Sequence, residues 1–307
     1  MWGNPSFFMA CKGRHTPLGF KIQKEEIQMR NLKRALSLAL AAIMLIGMMV
    51  VSASAASYND LTDKDQIVNK DAVSMLVSLG IIEGKPDGSY GPTENVDRAQ
   101  MAKMLSVIMN KGVDNSALYQ SVNSGLVDVN TNWAKGHINY CYTTGIIAGR
   151  GNGKFDPSAT VTALEAAKML LVAVGYDPAI EGFEGADWAI NVSVRADEQG
   201  IFEGFTKDLS APLNRDDAAL LIYNALDVEM IQSYTTNNYP IAYSDHRTIL
   251  ADKYGVIKVE GVVTANEWAI LDDDTDTALQ EGKTRIYNPD GILSTTGNTA
   301  VAQDSSA

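Results

Sequence analysis

The feature that most constrains this chain is that it repeats itself. GIIEGKPDGSYGPTENVDRAQMAKML, beginning at Gly80, recurs as GIIAGRGNGKFDPSATVTALEAAKML from Gly145, a shift of 65 residues. Gly84 matches Gly149, Gly88 matches Gly153, and Pro92 matches Pro157. Upstream, Leu61-Thr62-Asp63 matches Leu126-Val127-Asp128. A third, decayed copy follows at a shift of 55: Trp133-Ala134 recurs as Trp188-Ala189, Gly145-Ile146 as Gly200-Ile201, Gly149 as Gly204 and Pro157 as Pro212. A unit of this size is one supersecondary element, which buries its apolar face only against its neighbours.

Each unit reads as helix, loop, helix. The second helix carries apolar residues at i, i+3, i+4, i+7 and i+8: Met101, Met104, Leu105, Ile108 and Met109 in the first copy. Ala166, Met169, Leu170, Ala173 and Val174 follow in the second, and Ala218, Leu221, Ile222, Ala225 and Leu226 in the third. This is the amphipathic helix pattern. Three such stripes can bury one another, so the expected fold is mainly α, with pseudo-threefold repeats around a central three-helix bundle. The loops hold turn formers, Pro86-Asp87-Gly88 and Gly151-Asn152-Gly153, each followed by an aromatic, Tyr90 or Phe155, expected to pin the loop. The expected repeats span residues 58–112, 126–177 and 183–231. SYTTNNYP (233–240) reads as a linker, 254–263 as a β-branched strand and 284–287 as another, within a β-rich segment over 241–290; 291–307 reads as a disordered tail.

The chain has 307 residues and a formal charge of −12. An acidic surface argues against nucleic acid as a partner. Residues 29–55 have a basic start, an apolar run over 35–51 and Ala53-Ser54-Ala55, the layout of a cleaved signal peptide. Met29 is the natural initiator, so residues 1–28 are expected to be upstream leader. Cleavage after Ala55 would remove seven basic and two acidic residues, and Cys11 with them. Cys141 would remain as a lone thiol, best read as a small core residue.

The second helices open with Asp97-x-x-Gln100, Thr162-x-x-Glu165 and Asn214-x-x-Asp217, which are capping boxes or close relatives. Capping does not explain Arg98 and Arg215, which directly follow the cap, where a cation opposes the helix dipole. One reading is a solvated arginine. The other is an anion site, in which free helix N–H groups and a planar guanidinium meet a carboxylate or phosphate.

Taken together, Asp128, Trp133-Ala134, Gly145-Ile146-Ile147-x-Gly149, Gly153-x-Phe155-x-Pro157 and the capped helix start resemble the S-layer homology domain, over roughly residues 58–231. The resemblance implies a secreted surface protein held non-covalently to the bacterial cell wall. Grooves between its repeats would bind anionic, pyruvylated secondary cell-wall polysaccharide. Peptidoglycan-linked polymers and self-assembly into a surface layer are further implied partners. By the same resemblance Arg98 and Arg215 would meet the ketal carboxylate, Trp133 and Trp188 would line the grooves, and Asp63 and Asp128 belong to the ligand-binding set; no metal or cofactor is implied. The copies depart from the pattern: Val68 stands in the Trp133 position, and Ala163 replaces the arginine in the second copy.

Two other classes find less support in the sequence. An enzyme lacks support, since beyond residue 55 only His137 and His246 occur and no GxSxG or Cys/His motif appears; the alternative is that these repeats tether an extracellular hydrolase encoded beyond residue 307. Asp272, Asp274 and Asp276 have calcium-like spacing, but Thr277 and Lys283 stand where an EF-hand needs Gly and Glu.

Overall fold

The computed structural model describes residues 57–257, 262–265, 279, 285–288 and 291–294. The expected leader, the signal peptide and the Asp272–Asp276 turn lie outside them. The described part is mainly α. Six helices make three helix-loop-helix units: α1 (Lys70–Ser78) with α2 (Arg98–Met109), α3 (Lys135–Thr143) with α4 (Ala163–Val174), and α5 (Trp188–Glu198) with α6 (Arg215–Leu226).

The helix starts follow their sequence signals. Asp97 Oδ1 accepts from Gln100 N at 2.7 Å and Thr162 Oγ1 from Glu165 N at 3.2 Å, and both boxes are closed by the return bond. Asn214 caps α6 by the same bond to Asp217 N, at 2.7 Å. The apolar stripes are buried as their spacing requires. Met101, Leu105, Ile108, Leu170, Val174, Leu221 and Ile222 expose 2% or less, while Met104 and Met109 lie at the margin of the core.

The helices of one unit are not each other's main partners. α3 packs on α2 of the preceding unit, α5 packs on α4, and α1 packs on α6, so the three units interlock in a cycle. The segments just before α2, α4 and α6 complete that cycle by hydrogen bonds. Val96 N donates to Leu213 O at 2.9 Å, Leu213 N to Val161 O at 2.8 Å, and Val161 N to Val96 O at 2.9 Å. Each unit therefore depends on both others for apolar cover and for backbone partners.

The seam between the third and first units carries a device the other seams lack. Asn132 Oδ1 accepts from Ala134 N at 2.8 Å, closing the turn that leads into α3, but its counterpart before α1 is Ile67. The acceptor arrives from the third unit instead: Asp216 Oδ2 accepts from Val68 N at 3.1 Å and Oδ1 from Asn69 N at 3.2 Å. Asp216 is buried, and its counterparts Ala99 and Leu164 could not do this.

Residues beyond 231 differ from expectation. The expected linker is a hairpin, β1 (Ile231–Tyr234) with β2 (Pro240–Ala242), because Asn238 takes a left-handed turn (φ 63°) and Thr235 closes it from both sides. Of the strand expected over 254–263, residues 258–261 lie outside the described residues, and Val262 and Val263 belong to a described strand. Before it comes a helix, α7 (Ile249–Tyr254), capped by Thr248 on Ala251 N and stopped by Gly255 at φ 64°. Six residues are too few for a helical period to show in sequence. Ile249 and Leu250 are buried where α7 packs on α2 and α6, and Tyr234 donates to Glu181 Oε1 at 3.0 Å, so this extension is fastened to the repeats. β3 (Val262–Ala265), β4 (Arg285–Asn288) and β5 (Gly291–Ser294) form an antiparallel sheet. β5 occupies the start of the stretch expected to be disordered; Asn288 pairs with Gly291 across Pro-Asp, a turn composition.

Candidate functional site

The loop of each of the first two units is built on one carboxylate. Asp63 accepts from Tyr90 N at 2.7 Å and Gly91 N at 2.8 Å; Asp128 accepts from Phe155 N at 2.9 Å and Asp156 N at 2.7 Å. Burial alone would raise these carboxyls, but the paired backbone donors outweigh it and hold both below the usual aspartate range. Both acids are committed to loop backbone, and that drives Tyr90 and Phe155 into the core at 1% and 0% exposure.

The arginines reach across units. Arg98 Nε donates to Phe155 O at 2.8 Å and Nη2 to Ala148 O at 2.9 Å, with the guanidinium 4.4 Å from the Phe155 ring centre. Arg215 repeats the pattern one unit on, donating to Tyr90 O at 2.8 Å and Glu83 O at 3.3 Å, 4.7 Å from the Tyr90 ring. Glu83 and Tyr90 are the 65-residue counterparts of Ala148 and Phe155. Arg98 is 4% exposed; burial, then neighbouring Arg150, lowers it to about 10.

This corrects the picture of open helix starts. Arg98 N donates to Ala159 O and Ala99 N to Pro157 O, both at 2.9 Å, and Gln100 N is held by the cap. On α6, Arg215 N donates to Glu94 O at 2.8 Å and Asp216 N to Pro92 O at 3.1 Å. The first-turn N–H groups are spent on the neighbouring loop, so they offer an anion nothing. The same loops explain why a cation is tolerated at the first helical position: the guanidinium is drawn away to two carbonyls.

A cleft of about 380 Å³ lies at the Arg98 seam, lined by Arg98, Arg150, Lys168, Glu165, Glu184 and Trp188 among others. It is assembled from three units: α2 gives Arg98, the second loop Arg150, α4 Glu165 and Lys168, the approach to α5 Glu184, and α5 itself Trp188. Arg150 pairs with Glu165 at 2.7 Å. Lys168 Nζ donates to Phe183 O at 2.5 Å and stands 5.7 Å from the Trp188 ring; burial lowers it, with Glu184 opposing and Arg98 assisting. Trp188 is half-buried against the core. Arg98 and Trp188 thus meet in one cleft. Trp133 is 58% exposed, stacked edge-on against His137 at 6.4 Å, at the station that corresponds to Trp188. Ala163 is fully buried, and Val68 is 81% exposed.

Arg150 and Lys168 were not foreseen. A signal existed for one: Lys168 and Lys103 sit at matching places in the second helices of their units. A Ser106–His137–Asp114 row has no sequence signal, because its members come from the first unit, the second unit and the segment between them. Ser106 Oγ is 2.6 Å from His137 Nδ1, and His137 Nε2 is 3.6 Å from Asp114 Oδ2. It is not a nucleophile site: Ser106 is 4% exposed, lies inside α2 and bonds its own Lys103 O at 2.9 Å. Cys141 is also inert, fully buried with its thiol pushed up by burial.

The fold is thus built from three interlocking helix-loop-helix repeats with a cleft at the Arg98 seam. The family model for the S-layer homology domain matches residues 57–102 and 127–167. The chain is 28% identical to a cell surface protein of Thermoanaerobacter kivui over 87% of its own length and 32% of that protein. It is 30% identical to an S-layer protein of Bacillus licheniformis over 49% of its length and 16% of that protein. It is also 30% identical to an amylopullulanase of Thermoanaerobacterium thermosulfurigenes over 56% of its length and 10% of that protein. The chain thus spans a third or less of these relatives. No helix among the described residues is long and apolar enough to cross a membrane.

Proposed function

We propose that this chain anchors a secreted surface protein to the bacterial cell wall by non-covalent binding of an anionic, pyruvylated secondary polysaccharide. The observation that carries the reading is the cleft lined by three cations, Arg98, Arg150 and Lys168, two carboxylates, Glu165 and Glu184, and an indole, Trp188, with Lys168 5.7 Å from the indole ring. A ketal-bearing sugar presents a carboxylate and an apolar ring face. The cations suit the first and the indole the second. Asp63 and Asp128 act by holding the loops. Arg98 and Arg215 combine a stitch between units with whatever donor capacity their third nitrogen retains. The third unit completes the pseudo-threefold set, and where it closes on the other two, Ala163 stands in the arginine position and Val68 in the tryptophan position.

The test is sedimentation of the full chain with purified sacculi, before and after mild acid removal of ketal groups. Lys168→Ala and Trp188→Ala should each lower binding roughly tenfold, about 1.4 kcal/mol, in chains that circular dichroism shows to be folded. Unchanged sedimentation of both variants, or of stripped sacculi, would sink the site. The similarity to an amylopullulanase favours a second reading, in which the same module tethers an enzyme. Sequencing the gene past residue 307 separates the two.

A further inference from the structure

We infer that His137 is the positioning residue of Trp133, and that it makes the groove on the Trp133 side sensitive to acid; the groove itself rests on the function proposed above. His137 is 3% exposed, wedged between the first and second units where α3 packs on α2. Two charged groups act on it among the described residues. α2 supplies Lys103, which repels a protonated ring. The turn after α2 supplies Asp114, which attracts it. Its neutral contacts include Ser106 on one nitrogen and, one turn earlier on the chain, Trp133 in a T-shaped pair at 6.4 Å.

The Ser106 hydroxyl has one hydrogen and two acceptors in reach, His137 Nδ1 at 2.6 Å and Lys103 O at 2.9 Å. In the neutral ring with Nε2–H toward Asp114, Ser106 donates to Nδ1. A proton arriving on Nδ1 must be donated to Ser106 Oγ, so the hydroxyl turns to Lys103 O. Charge then sits in a buried seam beside Lys103, whose Nζ is 3.2 Å from Glu83 Oε2; the Glu83 carbonyl is one of the two that hold Arg215. Burial lowers the ring below the ordinary histidine range, with Asp114 opposing and Lys103 assisting. A base whose folded value is depressed costs stability as pH falls below the unfolded value of about 6.5. The strain falls on the α2–α3 seam, which seats Trp133 and Lys103. The Arg98 cleft has no histidine among its lining residues.

Fluorotryptophan labelling of the full chain gives one 19F signal per tryptophan, with Trp133 assigned from Trp133→Phe. Between pH 8 and 5 the Trp133 signal should move with a midpoint below 6.5 and stay still in His137→Gln, which keeps polar contacts without titrating. A Trp133 signal that ignores pH, or moves equally in His137→Gln, overturns the inference. In a Trp188→Ala background, affinity for purified pyruvylated wall polysaccharide should fall about tenfold from pH 7.5 to 5. With His137→Gln added, it should be flat. An equal fall in both also overturns it. If neither the Trp188→Ala protein nor the wild-type chain binds polysaccharide at any pH, the functional reading fails, and the 19F titration alone decides the role of His137.

Discussion

Replacing Arg98 by alanine separates a ligand contact from a structural stitch. The guanidinium gives a charge-assisted bond to the carbonyl of fully buried Phe155, and that acceptor has no route to water once the donor is gone. Losing such a bond costs about 1.5–3 kcal/mol. The second acceptor, Ala148 O, belongs to an exposed residue and can be hydrated, so its loss adds less than about 1 kcal/mol. The guanidinium over the Phe155 ring adds about 1–2 kcal/mol at a desolvated site. Against these stands the relief of unburying a charge, which the depressed Arg98 value reports. The net expectation is a loss of about 2–4 kcal/mol, read as a melting temperature lower by roughly 5–15 °C. Arg98→Lys should recover little, since one ammonium cannot span two carbonyls. Arg215→Ala should cost roughly half as much, because Arg215 is only half-buried and its second bond is 3.3 Å. Urea and thermal unfolding of the full chain measure all three. If Arg98→Ala melts within about 1 °C of wild type and loses only polysaccharide binding, the guanidinium is a ligand group and the stitch argument is wrong.

Further expectations come from other contacts. Ala163→Arg should not create a third anion site: Ala163 is fully buried, so an unpaired charge there should destabilise by about 2–4 kcal/mol, measured as a lower urea midpoint. Asp128→Asn should cost about 1–2 kcal/mol at pH 7 by weakening the hold on Phe155 N and Asp156 N. Because the Asp128 carboxyl is held low in the fold, its contribution is present above its unfolded value, near 3.9, and is lost as pH falls through the folded value. Wild type and variant should therefore converge in urea titrations as pH drops below about 4. Gly136→Ala should be severe, about 3 kcal/mol or more, since a methyl group there would sit 2.1 Å from Ser116 O; a normal melting temperature would contradict the close α3 packing.

Much of the architecture could be read before any coordinates. The 65-residue echo, the capping pairs at Asp97, Thr162 and Asn214, and the stripes of the second helices marked the main helices and their buried faces. These are local signals: a cap bond spans three residues and a helical stripe recurs within eight, so both are written in contiguous sequence. The short elements after residue 231 were misread for the same reason, since a six-residue helix and a two-stranded hairpin carry too few residues to display a period.

What tertiary structure alone decided is which surfaces meet. Nothing in the repeat pattern says that α3 packs on α2, or that α1 closes on α6 under a carboxylate lent by Asp216 in place of a cap that Ile67 cannot supply. The direction of a long side chain at a helix start is equally unwritten. Arg98 and Arg215 follow their caps as any surface arginine could, yet each is drawn to two carbonyls of the next unit's loop and stacked on its aromatic. Sequence spacing records distance along the chain. The cleft holding Arg98, Arg150, Lys168 and Trp188 depends on distance across it, set only once three interlocking units bury one another's apolar faces.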